Sequence, residues 1–230
     1  DGSIYDYEII EAIIKPKYQL TYEDVNEILD LEPKEEIELV EIRDLLAKSI
    51  SYRKKQGAII FESSNSKMKK YKEKILLIKV EKTIAQVIVE EAMILMGYVS
   101  SLFLKKNNLA AAYRLQKINC NPYELLNKYK DSEIRYILLK QYMGRSYITI
   151  KPGNHESLGL SSYLQCTSPL RRYLDLIIQR QIFNKINNYE VISVNSILEI
   201  IDYAKNRQIE NNNIIKNDKY NYLSMFFKNE

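Results

Sequence analysis

The chain has no tryptophan, one histidine, two cysteines, five prolines and six glycines in 230 residues. Each scarcity removes a class of function. With His155 alone, neither a pair of histidines for proton transfer nor a multi-histidine metal centre can be assembled. Cys120 and Cys166 are too few and too far apart for a disulfide framework or a zinc-binding cysteine set. Such sparse cysteine suits a reducing compartment, so a cytoplasmic location is expected, with no disulfide-linked partner. No uninterrupted apolar run reaches the length of a membrane span and no signal-peptide pattern opens the chain, so no membrane association is expected. Clustered aspartate is missing too: of nine aspartates, no two lie closer than five residues apart. Hard divalent cations are held by converging carboxylate oxygens, and no aspartate-rich motif for that purpose is written into this sequence. Oligomeric state is left open.

What is present suits part of a soluble enzyme. At 46% hydrophobic, the chain can bury a substantial core in one or two domains. A net charge of +4 permits nucleic-acid binding without requiring it. Lysines outnumber arginines 25 to 9, and arginine is expected to persist where lysine cannot replace its planar five-donor fork; four of the nine, Arg114, Arg171, Arg172 and Arg180, fall in the motifs quoted below.

The order of elements predicts an α+β chain dominated by helix. Asp1-Gly2 reads as a hairpin turn followed by a strand over 4–10, and a start inside a hairpin reads as a fragment. Thr21 and Asp24 form a capping-box variant ahead of a helix. Helices are expected near 36–55, 83–106, 122–128, 131–142, 169–187 and 193–227. Strands are expected at 57–61 and 146–151, with a polar, lysine-rich connection over 62–74.

The stretch Tyr163-Leu-Gln-Cys-Thr-Ser-Pro-Leu-Arg-Arg-Tyr-Leu-Asp-Leu-Ile-Ile-Gln-Arg-Gln-Ile182 is the most informative. Ser168 reads as an N-cap and Pro169 as the first helical residue. Leu170, Tyr173, Leu174, Ile177 and Ile178 mark the buried face. Arg171 and Arg172 then occupy the first turn, where the helix dipole disfavours cations unless an anion is bound. Pairing of Asp175 with one or both arginines is the competing explanation.

The helix at 83–105 is apolar over most of its circumference, which predicts a central, buried helix. It nevertheless carries Glu90 and Glu91, and buried carboxylates need a partner, a ligand or a catalytic role. Glu91 shares a stripe with Ile84, Ile88, Leu95 and Tyr98 and reads as a structural ion-pair member. Glu90 shares a face with Gln86, Met93 and Gly97, where a missing side chain leaves room for a ligand. A buried ion pair for both glutamates remains the alternative.

Tyr-x-x-x-Thr-Ser-Pro-Leu-Arg-Arg-Tyr-x-Asp-Leu resembles the signature near the end of the catalytic domain in the ribonuclease II/ribonuclease R (RNB) family. Further segments are similar to that family in the same order: Leu20-Thr-Tyr-Glu-Asp-Val25, Arg53-Lys-Lys-Gln-Gly-Ala58, Val89-Glu-Glu-Ala-Met-Ile-Leu95, Ala112-Tyr-Arg-Leu-Gln116 and His155-Glu-Ser-Leu-Gly-Leu160. The resemblance covers almost the whole chain. It implies that residues 1–230 are the C-terminal portion of an RNB catalytic domain, without the aspartate-cluster half and the flanking oligonucleotide-binding domains. It implies a 3′-to-5′ exoribonuclease that hydrolyses single-stranded RNA with Mg2+, whose ligands lie upstream, so that this segment alone is inactive.

Matched residue by residue, the resemblance implies catalytic roles for Arg171 and Glu90. Tyr22 and Phe61 match positions lining the path of the RNA 3′ end. Arg114, Ser168, Arg172 and Arg180 fall within the matching motifs and are expected to bind substrate phosphate. Gln165 and Gln179 depart from a frequent histidine, and Gly97 from the usual asparagine. Two other readings stay open: a catalytically silent RNA-binding relative, and a helical interaction domain in which arginines and glutamates simply pair.

Overall fold

The computed structural model describes residues 1–60, 65–71, 74–119, 124 and 132–228. Phe61, Cys120 and the helix expected at 122–128 lie outside the described residues, except for Glu124. The elements run α1 (Tyr22–Leu31), a 3-10 turn (Lys34–Glu36), α2 (Ile37–Lys55), β1 (Asn65–Tyr71), β2 (Lys74–Val80), α3 (Ile84–Lys106) and β3 (Tyr113–Leu115). They continue with α4 (Ser132–Tyr142), β4 (Tyr147–Thr149), a 3-10 turn (Glu156–Leu158), α5 (Tyr173–Ile186) and α6 (Val194–Lys228). The class is α+β and predominantly helical, with two antiparallel pairs, β1–β2 and β3–β4.

Two capping boxes fix where the N-terminal helices begin. At α1 the Thr21 hydroxyl accepts from the Asp24 amide at 3.1 Å, while the Asp24 carboxylate accepts from the Thr21 amide at 2.7 Å. At α3, Thr83 and Gln86 repeat the exchange. The Asn26 side chain accepts from the Ala85 amide at 3.0 Å, so α1 also caps the helix it packs against.

Helix α3 is long and apolar enough, by length and composition alone, to cross a membrane. Its surroundings give it a different role, since α1, α2 and α5 all pack on it. It buries Glu91, Ser100 and Ser101 among its apolar residues. The main core joins the C-terminal end of α3 through Leu104 to Ala111, Ala112 and Tyr113, to Leu164 and Cys166, and to Ile177, Ile178 and Ile182 of α5. Ile197 and Ile201 close it from the start of α6. Beyond Ile201, α6 leaves the core and is largely exposed.

Glu91 is an ion-pair member, and its partner is Arg53 on α2. The Arg53 Nε donates to Glu91 Oε1 at 2.9 Å, Arg53 Nη2 pairs with Glu91 Oε2, and Ser49 Oγ donates to Oε1 at 2.8 Å. Arg53 Nη1 reaches the Leu158 carbonyl at 2.9 Å. Both charges are almost fully buried, so each depends on the other for solvation. The turn they hold, His155 to Leu160, closes on itself with His155 N donating to Leu160 O at 2.9 Å. Gly159 adopts a φ of 65°, and a Cβ there would lie 2.5 Å from the Arg53 carbonyl oxygen. Both the left-handed backbone and the close approach require glycine.

Several sequence expectations are corrected. The strand at 4–10 does not form: it pairs with no strand among the described residues, and Tyr5 is fully exposed. Gly57–Ile60 forms no ladder either, since Ile59 N donates to the Ser157 carbonyl in the turn instead. The connection at 62–74 contains β1, paired with β2 from Asn65↔Val80 to Tyr71↔Lys74. Lysine at both alternating positions hid this strand, because an exposed ribbon needs little apolar alternation. Space beside Gly97 holds protein and not ligand: a Cβ there would meet the Leu164 carbonyl oxygen at 2.3 Å and the Tyr163 ring at 2.6 Å.

Gly97→Ala is therefore expected to force α3 away from residues 163–164. A cost of about 1–3 kcal/mol should appear as a lower denaturation midpoint, with an unchanged midpoint refuting the packing argument. His155 gives a pH-dependent test. Its ring is buried edge-on against Tyr163 at 5.4 Å, with Ser157 Oγ 3.4 Å from Nδ1. Burial first, and then the positive charge of Arg114, pull its pKa down to about 4. A depressed folded-state pKa gives stability that is whole above pH 6.5 and is lost as pH falls toward 4. Wild type should lose about 2 kcal/mol more than His155→Gln between pH 7 and pH 5 in urea titrations.

Candidate nucleic-acid interface

The segment from Tyr163 to Arg172 is threaded between β3 and α5. Leu164 bridges Tyr113, and the Arg114 amide donates to the Tyr163 carbonyl at 2.8 Å. Cys166 is buried with its Sγ 3.4 Å from Ser100 Oγ, and burial raises its pKa, which makes it an inert thiol. Gln179 Nε2 donates to the Cys166 carbonyl at 2.7 Å and ties the segment to the middle of α5.

Helix α5 starts at Tyr173, later than the serine cap implied. Arg172 is the N-cap and makes no side-chain cap bond. The displaced start follows from Asp175, whose carboxylate is 1% exposed. One oxygen, Oδ2, accepts from the Ser168 amide at 2.9 Å and from Arg172 through Nε at 2.9 Å and Nη2 at 2.6 Å. A buried carboxylate takes the strongest donors in reach, and these draw Ser168–Arg172 into a turn instead of a first helical turn. Ser168 O accepts from the amides of Arg171 and Arg172 at 3.2 and 3.0 Å. Leu170, expected on the buried face, is fully exposed at the turn.

Asp175 therefore answers the pairing question: it holds Arg172. Arg171 is exposed, and its guanidinium makes no hydrogen bond or ion pair among the described residues. Arg114, on β3, is the third guanidinium of the cluster. Its described hydrogen-bond partner is Ser146 Oγ at 3.2 Å, and no described carboxylate pairs with it. Burial lowers its pKa, and the charge of Arg172 lowers it further against the opposing pull of Tyr163 and Asp175. Arg172 and Arg114 both lie near the single Asp175 carboxylate, and Arg171 is exposed next to Arg172 in the chain. Guanidinium donors in excess of carboxylates are groups that could pair with an oxyanion such as phosphate.

The other expected residues are not joined to this cluster by any described hydrogen bond or ion pair. Glu90 is exposed on α3 and pairs with Lys82, and no described bond links it to Ser168 or Arg171. Tyr22 is 44% exposed at the start of α1, and Arg180 is exposed on α5. Among the described residues no group of three His, Cys, Asp or Glu side chains could hold a metal ion. The described donors therefore form no set that fits Mg2+. Sequence reasoning missed Arg53 as the partner of Glu91, although its place in Arg53-x-x-x-Gly57 had already marked it.

Comparison with known proteins bears on this geometry. Residues 1–188 match the RNB domain. An uncharacterized ribonuclease of Synechocystis sp. is 35% identical over 182 residues, covering 78% of this chain and 27% of that protein. The chain thus spans about a quarter of the length of that relative. Mycoplasma genitalium RNase R, solved in complex with ribose-methylated single-stranded RNA, superposes with a TM-score of 0.75 at 19% identity, covering 89% of this chain and 39% of that one. Yeast Ssd1, described as a pseudonuclease, superposes with a TM-score of 0.56 at 17% identity, covering 81% and 28%. The structural likenesses are of fold. The sequence match runs through every motif from Leu20 to Ile182, and on that ground the chain belongs to the RNB family.

Proposed function

We propose that the full-length protein is a hydrolytic 3′-to-5′ exoribonuclease that degrades single-stranded RNA with Mg2+ in the cytoplasm. This segment supplies the phosphate-gripping side of the site. The metal ligands come from the rest of the protein, so the segment alone hydrolyses nothing. One observation carries the reading: Arg171 is exposed and uncommitted beside an Arg172 that a buried carboxylate holds in place. Hydrolysis of a phosphodiester gathers negative charge on its non-bridging oxygens. A guanidinium positioned near them stabilises the transition state more than the ground state. In this reading Arg172 is the positioning residue and Arg171 the catalytic one, while Arg114, Ser168, Arg180, Tyr22 and Phe61 bind substrate. Glu90 contacts the terminal nucleotide once Lys82 yields to it.

A catalytically silent relative is the second reading, favoured by the likeness to a protein described as a pseudonuclease. The two separate in one experiment: a silent relative binds RNA and releases no nucleotides when Mg2+ is supplied. In the full-length enzyme, Arg171→Ala should lower the single-turnover rate by about 10²–10³ while RNA affinity falls far less. Arg171→Lys should recover little of the rate, because a point charge lacks the planar fork. Arg172→Ala should act chiefly on binding and folding. A wild-type rate in Arg171→Ala would remove that residue from the mechanism.

A further inference from the structure

The net positive charge of the chain has a single address. Residues 65–82 contain seven lysines and two glutamates, a net charge of +5 against +4 for the whole chain. Everything outside that stretch sums to −1. The stretch is the β1–β2 ribbon and the short link to α3. The pairing register divides its residues between two faces. Met68 and Lys70 share one face with Ile75, which is 4% exposed, so this side meets the protein. Helix α6 packs along β2. The other face carries Lys67, Lys69 and Tyr71 opposite Ile78, Leu76 and Lys74. Lys69, Tyr71, Leu76 and Ile78 are all exposed there.

We infer that this ribbon face is a second RNA-binding surface, which holds single-stranded RNA outside the cleavage site, its lysines on phosphates and its apolar side chains against bases. Two features argue for RNA over simple solubility. Charge on a ribbon edge blunts aggregation whichever sign it has, so that need does not explain lysines in such excess. Exposed aliphatic side chains between cations gain nothing in water, but they suit a strand that presents flat bases alternating with phosphates.

The inference rests on the exoribonuclease reading for its choice of RNA, and the test separates the two. The full-length protein would be compared with a variant in which Lys67, Lys69 and Lys74 are glutamine, and with the milder Lys69→Gln change at one exposed position. Circular dichroism verifies folding of both. Binding of an RNA of about 20 nucleotides, with metal chelated, should weaken at least about fivefold in the three-lysine variant at about 0.1 M salt. The slope of log affinity against log salt should become shallower by about 2, since each lost phosphate contact removes about 0.7. The single variant should show a smaller change in the same direction. With Mg2+ present, KM should rise for the long RNA and change by less than about twofold for a tetranucleotide too short to reach the ribbon. Unchanged long-RNA affinity and salt slope in both variants overturns the inference. So does lysine-dependent binding to anionic phospholipid vesicles with no lysine dependence toward RNA. If the wild type binds RNA but cleaves neither length, the exoribonuclease reading fails and the binding comparison still decides the ribbon.

Discussion

The Arg53–Glu91 pair ties together the three parts of the chain on which everything else is built. Arg53 lies near the end of α2, Glu91 in the second turn of the central α3, and the Leu158 carbonyl in the turn that precedes the arginine segment. Two buried charges cannot be separated cheaply, because each would remain in a low-dielectric interior without compensation. The geometry is tight enough to exclude a side chain at Gly159, which packs against the Arg53 carbonyl. From that turn the chain passes Leu160 and Tyr163 to Ser168. The ion pair inside the core thus helps determine where the arginine segment emerges.

A second buried carboxylate does for the surface what Glu91 does for the core. Asp175 spends its acceptor capacity on the Ser168 amide and the Arg172 guanidinium. This fixes one arginine and leaves its neighbour free. Had Asp175 taken Arg171 instead, the exposed position would carry no available cation. Arg114 adds a further positive group, whose charged form is disfavoured chiefly by burial and then by the neighbouring Arg172, against the pull of Tyr163 and Asp175.

Charge is partitioned at longer range as well. The ribbon concentrates the lysines, while the arginines that matter lie in the segment before α5 and on β3. Lysine is a flexible point charge suited to tracking a polyanion, and arginine a rigid fork suited to orienting one phosphate. Their segregation is what the two proposed roles would require.

The sequence by itself determined the long helices, both the Thr21 cap and the central α3, because these depend on local chemistry: hydroxyl and carboxylate spacing at the start and apolar residues around the circumference. It also marked Glu91 as an ion-pair member, and it carried the family, whose short motifs persist in order. Tertiary structure decided the rest. Which arginine Asp175 takes cannot be read from spacing, since three and four residues away are equally near on a helix; the turn at Ser168 settles it. Whether Gly97 offers a cavity or a contact depends on Tyr163 and Leu164, 66 and 67 residues away in sequence. Strand β1, lysine-rich on both faces, has no periodic signal and exists through its pairing with β2. Local interactions are written in sequence order, whereas the identity of a buried partner is fixed only when the chain brings distant donors to one acceptor.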